Sequence, residues 1–338
     1  MTTKIAISGF GRIGRLVFRL LESEKVGDLE LAAINTGSAP PSYMVYQLKH
    51  DSTFGRYPGK LESDEEGIIS DGKRIPVFHE RDAADLPWKK LGIDIVLECS
   101  GFYTEKDMAM KHIQAGAKHV LISAPGKGGM KTVVFGVNEG ILDGTEEVFS
   151  AGSCTTNCLA PMVKVLNDKF GIVVAQMTTV HAYTGTQSLM DQTDKKKNYR
   201  RGRAAAVNIV PTTTGAAKAI VEVIPEVGGK LSSAALRVPV IDGSLTTLYS
   251  ILEKPVSAEE VNAAMKEAES PSFGYNEEEI VSSDVIGSSQ GSLFDATMTS
   301  VAEAGNFQMV KTSAWYDNEM GYTHQLLRTL AYFSKIMK

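Results

Sequence analysis

The sequence predicts an α/β protein of two domains, the first built on a doubly wound parallel sheet. Three observations carry that expectation. The chain has 338 residues, more than one hydrophobic core usually serves. Its opening residues form a strand-like run that leaves through a glycine-rich turn into a helical pattern. Strand-like and helix-like stretches then alternate as far as Ser123, the rhythm of parallel strands joined by crossover helices.

In order, Lys4 to Ser8 runs apolar, Gly9-Phe10-Gly11-Arg12-Ile13-Gly14 follows, and Leu16, Val17, Leu20 and Leu21 recur at helical spacing. Leu29 to Asn35 is the second predicted strand. Glycines at Gly9, Gly11 and Gly14 allow a tight turn and a close backbone approach to a pyrophosphate, whose charge a helix N-terminus stabilises. The motif alone is weak evidence, but between a first strand and a first helix it is the expected cradle of a dinucleotide. The alternative is a glycine turn that only packs helix on strand. Ile93 to Cys99 is expected as a buried strand, Glu105 to Ala115 as a helix and His119 to Ser123 as a strand. Ligands of such sheets lie at the carboxyl ends of strands. That nominates Cys99-Ser100-Gly101 and Ser123-Ala124-Pro125 as cofactor-facing turns, with ordinary turn chemistry as the alternative. Cys99 itself is assigned a structural role.

The second strand ends in Asn35-Thr36-Gly37-Ser38. About twenty residues beyond the glycine turn, NAD-binding proteins of this kind carry Asp or Glu for the ribose hydroxyls. With no carboxylate there, a 2′-phosphate is not repelled, and the hydroxyls of Thr36 and Ser38 can donate to it. The expected cofactor is therefore NAD or NADP, with NADP accepted and a preference for it open. The other reading is a plain turn with NAD bound through its 2′-hydroxyl.

Hydrophobic residues make up 43% of the chain, enough for sizeable cores, and the formal net charge of −5 argues against general nucleic-acid binding. Three cysteines without a framework pattern fit reduced thiols. No apolar stretch is long enough to span a bilayer. Met1-Thr2-Thr3-Lys4-Ile5 enters the first strand with no basic and apolar segment before it, so a cytoplasmic protein is expected.

In the second half, Ser153-Cys154-Thr155-Thr156-Asn157-Cys158 precedes the apolar-periodic run from Leu159 to Leu166. Ser153 and Thr155 favour helix starts, so Cys154 sits at a helix opening. Unpaired amides there favour thiolate over thiol and can hold an oxyanion, with the Asn157 amide as a further candidate. A buried cysteine capping a core helix is the bland alternative. Val173 to Val180 is expected as a strand delivering His181-Ala182-Tyr183-Thr184, where His181 can take a thiol proton. Lys195-Lys196-Lys197-Asn198-Tyr199-Arg200-Arg201-Gly202-Arg203 is a basic run, either a solvated loop or a surface that meets anions or a neighbouring subunit. Pro211 to Ile220 is expected as a hydroxyl-rich helix start, a ready phosphate site. Arg237 stands in strand-like Leu236 to Val240, where an unpaired charge is costly, so a phosphate or carboxylate partner is expected. A thiol, two anion sites and a nicotinamide together suit aldehyde oxidation through a hemithioacetal and a thioester that phosphate attacks. Cys154 and Cys158 are one helical turn apart with no third and fourth ligand at suitable spacing, so no metal is expected.

Six ordered blocks make the chain resemble the phosphorylating glyceraldehyde-3-phosphate dehydrogenases over essentially its whole length. They are Ser153 to Cys158, His181 to Thr184, Arg200 to Ala205, Thr213 to Lys218, Leu236 to Pro239 and Trp315-Tyr316-Asp317-Asn318-Glu319. The resemblance implies an N-terminal Rossmann-type doubly wound sheet plus an α+β catalytic domain with a mainly antiparallel sheet. A dinucleotide-binding domain would cover 1–153, completed by a C-terminal helix at 319–338, with the catalytic domain at 154–318. Cys154 would be the nucleophile and His181 its base. The substrate phosphate of glyceraldehyde 3-phosphate would fall on Thr184 and Arg237, and inorganic phosphate around Ser153, Thr155, Thr214 and Gly215. Cofactor contacts would fall at Arg12, Ile13, Arg81, Ser123 and Asn318, beside the glycines and Asn35, Thr36 and Ser38. A homotetramer is implied, with 183–207 reaching an adjacent subunit's cofactor site and Lys195 to Lys197 meeting a 2′-phosphate there. Thr36 stands where NAD-specific members carry Asp, Gly152 replaces the usual alanine, and the 187–199 loop departs from the common form. Erythrose-4-phosphate oxidation and a non-catalytic nucleotide-binding protein are the competing readings.

Overall fold

A computed structural model describes residues 2–24, 26–193 and 198–338. The chain divides into two compact units. One comprises Met1–Phe135, Glu139–Ser153 and Leu326–Lys338, and the other Gly136–Asn138 and Cys154–Gln325.

The first unit begins with β1 (Thr3–Ser8), α1 (Arg12–Ser23), β2 (Leu29–Asn35) and α2 (Pro41–Lys49). Three short strands follow, β3 (Leu61–Ser63), β4 (Gly67–Ser70) and β5 (Lys73–Phe78). Then come α3 (Trp88–Leu91), β6 (Ile95–Glu98), α4 (Lys106–Gln114), β7 (His119–Ile122) and β8 (Val148–Ser150). The strands form one sheet in the order β3-β4-β5-β2-β1-β6-β7-β8. The five pairings from β5 to β8 are parallel, and β3-β4-β5 form an antiparallel edge. Ile5, Ala6, Ile7, Ile95, Val96 and Leu97 are fully buried, as strands covered on both faces require. The chain moves from β1 to β2 on one side and later returns to β6 on the other, so the order reverses at β1. Such a switch point is where doubly wound sheets bind ligands.

The second unit opens with α5 (Cys154–Phe170), β9 (Ile172–Ala182), β10 (Val210–Thr212), α6 (Ala216–Val223), β11 (Leu231–Val238) and β12 (Ser244–Leu252). It continues through α7 (Ala258–Glu267), β13 (Phe273–Asn276), β14 (Ser292–Asp295), β15 (Ser300–Ala304), β16 (Phe307–Tyr316) and the start of α8 (Met320–Ile336). Its sheet runs β10-β11-β9-β12-β16-β14-β13, with β15 beside β16. Among the described residues, only the β9–β11 and β13–β14 pairs of this sheet are parallel. The predicted pairing of a doubly wound sheet with a mainly antiparallel one is what the chain contains. Alternation along β9 buries Ala175, Met177, Thr179 and His181 on one face. On the other face Val174 pairs with Ile251 and stands open, as do Tyr249 and Met309.

Two local expectations differ from what forms. Pro211 and Thr212 belong to β10, paired with β11, and α6 starts only at Ala216. Ladder hydrogen bonds to Leu236 and Ala235 thus outcompete helix initiation in the threonine run. The C-terminal helix is Met320–Ile336, and only from Leu326 does it group with the first unit. There Phe333 packs on His119 and Phe149, with ring centroids 4.9 and 4.4 Å away.

Candidate active site

In the first unit the three motif glycines have three different surroundings. Gly9 has φ +96°, and a Cβ on it would lie 2.4 Å from Ser100 N. On Gly14 a Cβ would lie 2.1 Å from Gly9 O, so α1 crosses β1 closely only without a side chain. At Gly11 a Cβ would meet nothing within 4 Å, and no side chain caps α1. Open space in front of an uncapped helix start fits a pyrophosphate. Arg12 turns its guanidinium to Asp51, with Nη1–Oδ2 at 2.5 Å and Nη2–Oδ1 at 3.2 Å, while Ile13 is half-buried.

At the end of β2 the Asn35 amide is engaged at both ends by Glu80, donating to its carbonyl at 3.1 Å and accepting its N–H at 3.0 Å. Asn35 therefore fixes the segment that carries Arg81, whose side chain is exposed. Thr36 is half-buried and Ser38 exposed. His79 Nδ1 lies 2.5 Å from Gly37 O, a neighbour that local sequence patterns do not predict. Ser123 directly follows β7 and hydrogen-bonds the Cys99 thiol, which burial pushes up to about 12. That is an inert thiol, in keeping with its structural assignment. Ser153 is the half-buried residue just before α5.

In the second unit Cys154 is the first residue of α5, and its Sγ lies 3.5 Å from His181 Nε2. The parallel register of β9 and β11 sets Arg237 opposite His181. Arg237 Nη1 reaches His181 Nδ1 at 2.6 Å and the Ala182 carbonyl at 2.9 Å. Burial, then the Arg237 charge, lowers the imidazole to about 3. Burial raises the Cys154 thiol above its ordinary value, opposed by Arg237 and by hydrogen bonds from Thr155. Desolvation thus opposes the thiolate preference expected of a helix start. Cys158, one turn on, is fully buried and pushed up to about 12 by burial.

Thr155 Oγ1 is 3.1 Å from the Tyr316 hydroxyl, which is 2.8 Å from Thr179 Oγ1, and the tyrosine ring stands edge-on to His181 at 5.7 Å. Thr184 lies two residues past β9's end and shares its hydroxyl with Thr186 at 2.9 Å. Thr214 Oγ1 accepts the Ala216 N–H at 3.2 Å, and a Cβ on Gly215 would meet nothing within 4 Å. Asn318 Oδ1 accepts from Ser244 Oγ at 2.6 Å, and Ser244 Oγ accepts the Ala182 N–H at 3.0 Å. The amide of Asn318 and the backbone after His181 therefore share one hydroxyl.

Sequence reasoning missed Tyr316 and Ser244 as neighbours of the thiol and base, and Asp242, whose charge Cys154 senses. It also left Arg201 in an undifferentiated basic run, although its positive charge acts on both His181 and Arg237 and its Nε donates to Thr212 at 3.3 Å. Nothing in Arg200-Arg201-Gly202-Arg203 sets Arg201 apart from its neighbouring arginines. Lys195 to Lys197 lie outside the described residues. Among the described residues no cluster of three His, Cys, Asp or Glu could hold a metal, and no helix is long and apolar enough to cross a membrane.

A switch-point sheet with an open glycine turn, on one chain with a thiol, an imidazole and a half-buried guanidinium, is the equipment of a nucleotide-linked oxidoreductase. Comparison with known proteins agrees. Residues 3–106 match the NAD binding domain of glyceraldehyde 3-phosphate dehydrogenase, and 153–318 match its C-terminal domain. The chain is 57% identical over 337 residues to glyceraldehyde-3-phosphate dehydrogenase of Clostridium pasteurianum, covering 99% of this chain and 100% of that protein. It is 53% identical over 339 residues to that of Streptococcus pyogenes serotype M1, and 52% over 339 residues to that of Lactobacillus delbrueckii subsp. bulgaricus. Each of these two spans 100% of the relative, and 100% and 99% of this chain respectively. The chain belongs to the glyceraldehyde 3-phosphate dehydrogenase family.

Proposed function

We propose that the chain oxidises glyceraldehyde 3-phosphate to 1,3-bisphosphoglycerate with Cys154 as nucleophile and His181 as acid and base. The observation that carries this reading is Cys154 Sγ 3.5 Å from His181 Nε2, with Arg237 on the far side of the ring. Cys154 passes its proton to Nε2 as sulfur bonds to the aldehyde carbon, and the imidazolium returns the proton to the new oxyanion, giving a hemithioacetal. His181 then removes the hydroxyl proton. The dinucleotide, when bound at Gly9, Gly11, Arg12, Ile13, Gly14, Arg81, Ser123 and Asn318, supplies the acceptor that leaves a thioester on Cys154. An oxygen of inorganic phosphate attacks the thioester carbon, the C–S bond breaks and the thiol is regenerated. Amides at the start of α5 stabilise the oxyanions.

In this reading Arg237 and Thr184 hold the substrate phosphate, while Ser153, Thr155, Thr214 and Gly215 hold the attacking one, with Arg201 close to both sets. Support comes from the half-buried Arg237, whose guanidinium has no carboxylate partner among the hydrogen bonds described. Replacing Cys154 by Ser tests the mechanism: aldehyde-dependent cofactor reduction falls by about four orders of magnitude or more. Retained turnover would remove Cys154 from the role.

NADP is accepted beside NAD in the same reading. No side-chain carboxylate stands between Asn35 and Ser38, and the exposed Ser38 and His79 border the open Gly37. The functional division falls at Ser153 and Cys154, with 319–338 completing the first domain. The protein works as a cytoplasmic homotetramer. The uncovered sheet face at Val174, Tyr249, Ile251 and Met309 suits subunit contact, and sedimentation at four times 36.5 kDa tests it.

A further inference from the structure

Three buried polar side chains of the first unit take no part in this chemistry, yet they converge on the carboxyl end of β6. Trp88 Nε1 donates to His112 Nδ1 at 3.1 Å, and His112 Nε2 stands 3.1 Å from Glu98 Oε2. An indole nitrogen can only donate. Nδ1 is therefore the acceptor, and the ring hydrogen sits on Nε2, directed at the carboxylate. Glu98 Oε1 accepts the Ser100 backbone N–H at 2.7 Å and also the Ser100 hydroxyl, whose oxygen accepts the Phe102 N–H at 3.0 Å. Trp88 and His112 are 0% exposed and Glu98 1%, so the relay is sealed from water except at Ser100. Tyr103 stands edge-on to His112 at 5.2 Å and ties in a second segment. Its hydroxyl accepts the Ala83 N–H at 3.0 Å and donates to the Arg81 carbonyl at 3.1 Å.

A buried polar relay of this kind rarely stabilises more than an apolar core of equal volume, and its return is a unique geometry. The geometry it fixes lies at the switch point. β1 ends in Gly9 and β6 ends in Ser100, and the two turns touch so closely that a Cβ on Gly9 would lie 2.4 Å from Ser100 N. Glu98 turns both Ser100 donors inward and leaves the exposed Ser100-Gly101 edge at a fixed distance from the glycine turn.

We propose that Trp88, His112 and Glu98 are positioning residues for the dinucleotide, acting through the Ser100-Gly101 turn and, by way of Tyr103, through the Arg81 segment. The inference rests on the reading of the glycine turn as the cofactor cradle. None of the three needs to touch the ligand. They set the spacing of the backbone that does.

The test is calorimetric titration of the full-length protein with NAD. His112→Phe fills the volume and removes both hydrogen bonds of the ring. The NAD dissociation constant rises about tenfold or more, equivalent to about 1.4 kcal/mol, and the loss appears in KM for NAD rather than in kcat at saturating NAD. His112→Gln, able to accept from Trp88 and donate to Glu98, recovers most of it. Trp88→Phe removes the indole donor and some volume while leaving the His112 ring and its bond to Glu98 in place, and weakens NAD by about threefold, which serves if the first variant folds poorly. Unchanged NAD affinity in these variants, with only the melting temperature lowered, overturns the proposal. Gly11→Ala tests the cradle separately, because its Cβ meets no protein atom within 4 Å and obstructs only a ligand. Unchanged affinity there overturns the cradle reading. Weakening in Gly11→Ala without weakening in His112→Phe overturns the relay alone.

Discussion

Arg237 and His181 lie opposite each other on neighbouring parallel strands, with guanidinium Nη1 2.6 Å from imidazole Nδ1. A guanidinium cannot accept a hydrogen bond, so this contact uses the Nδ1 lone pair and places the ring hydrogen on Nε2, facing the thiol. The Ala182 carbonyl, 2.7 Å from the same Nδ1, is the partner that nitrogen takes when it carries the hydrogen itself. Two tautomers compete for one nitrogen, and the position of Arg237 decides between them. In the proposed mechanism, a substrate phosphate that drew Nη1 away would let Nδ1 donate to Ala182 and leave Nε2 free to accept the thiol proton.

Arg237→Leu therefore harms phosphorylated substrates selectively. For glyceraldehyde 3-phosphate, kcat/KM falls about 100- to 1,000-fold, the usual loss for truncating a buried charged partner. For unphosphorylated glyceraldehyde it falls less than about tenfold, because no phosphate contact is lost and only the tautomer preference and the acidity of the thiol change. Steady-state kinetics with both aldehydes measures the ratio, and equal losses would contradict the assignment.

The same charge acts on the thiol. Burial raises Cys154 and Arg237 lowers it, so removing the guanidinium moves the thiol higher still. Iodoacetamide inactivation, which reads the thiolate fraction, should need higher pH in Arg237→Leu than in the parent. A midpoint that stays in place or falls would show that Arg237 does not control the thiol.

Cofactor choice is tested at Thr36. Thr36→Asp adds a negative charge where a 2′-phosphate would lie, so kcat/KM for NADP relative to NAD drops about tenfold or more. An unchanged ratio in initial-rate assays would place the 2′-position elsewhere.

Asp242 and Asp317 form a buried carboxyl pair beside Asn318, each 1% exposed. Asp317 accepts N–H groups from Gly287, Glu319 and Met320, whereas Asp242 Oδ2 has no N–H or O–H donor. Their mutual hydrogen bond exists only if one carboxyl keeps its proton, and burial followed by the Asp317 charge raises Asp242 to about 9. In the unfolded chain it ionises near the ordinary value of 3.8. Between those values the folded state holds the extra proton, so this group lowers stability progressively as pH rises. Asp242→Asn donates to Asp317 without titrating. Its melting temperature should exceed the parent's by about 2–4 °C at pH 8 and by less at pH 5. A gain independent of pH would refute the shared proton.

Much of this was legible in the sequence because the signals are local. Gly9, Gly11 and Gly14 sit within one turn and have distinct steric reasons to be glycine. Cys154 and His181 were each flagged by their place at the end of an element. What joins them was not legible. Tyr316 reaches Thr155 across 161 positions, Ser244 reaches Asn318 across 74, and Glu98 meets His112 through a helix and a turn. Such pairs depend on strand order and register, which local periodicity does not encode. The acidity of Cys154 was only half legible for a similar reason: the helix start is visible in the sequence, but the burial that opposes it is not.

The central claim is a covalent thioester on Cys154 that inorganic phosphate releases. The most direct test mixes the protein with glyceraldehyde 3-phosphate and NAD in phosphate-free buffer, then quenches with acid for peptide mass spectrometry. The account predicts an acyl adduct on the Cys154 peptide that hydroxylamine removes and added phosphate discharges. Cofactor reduction with no adduct, or an adduct on Cys99 or Cys158 instead, would contradict it.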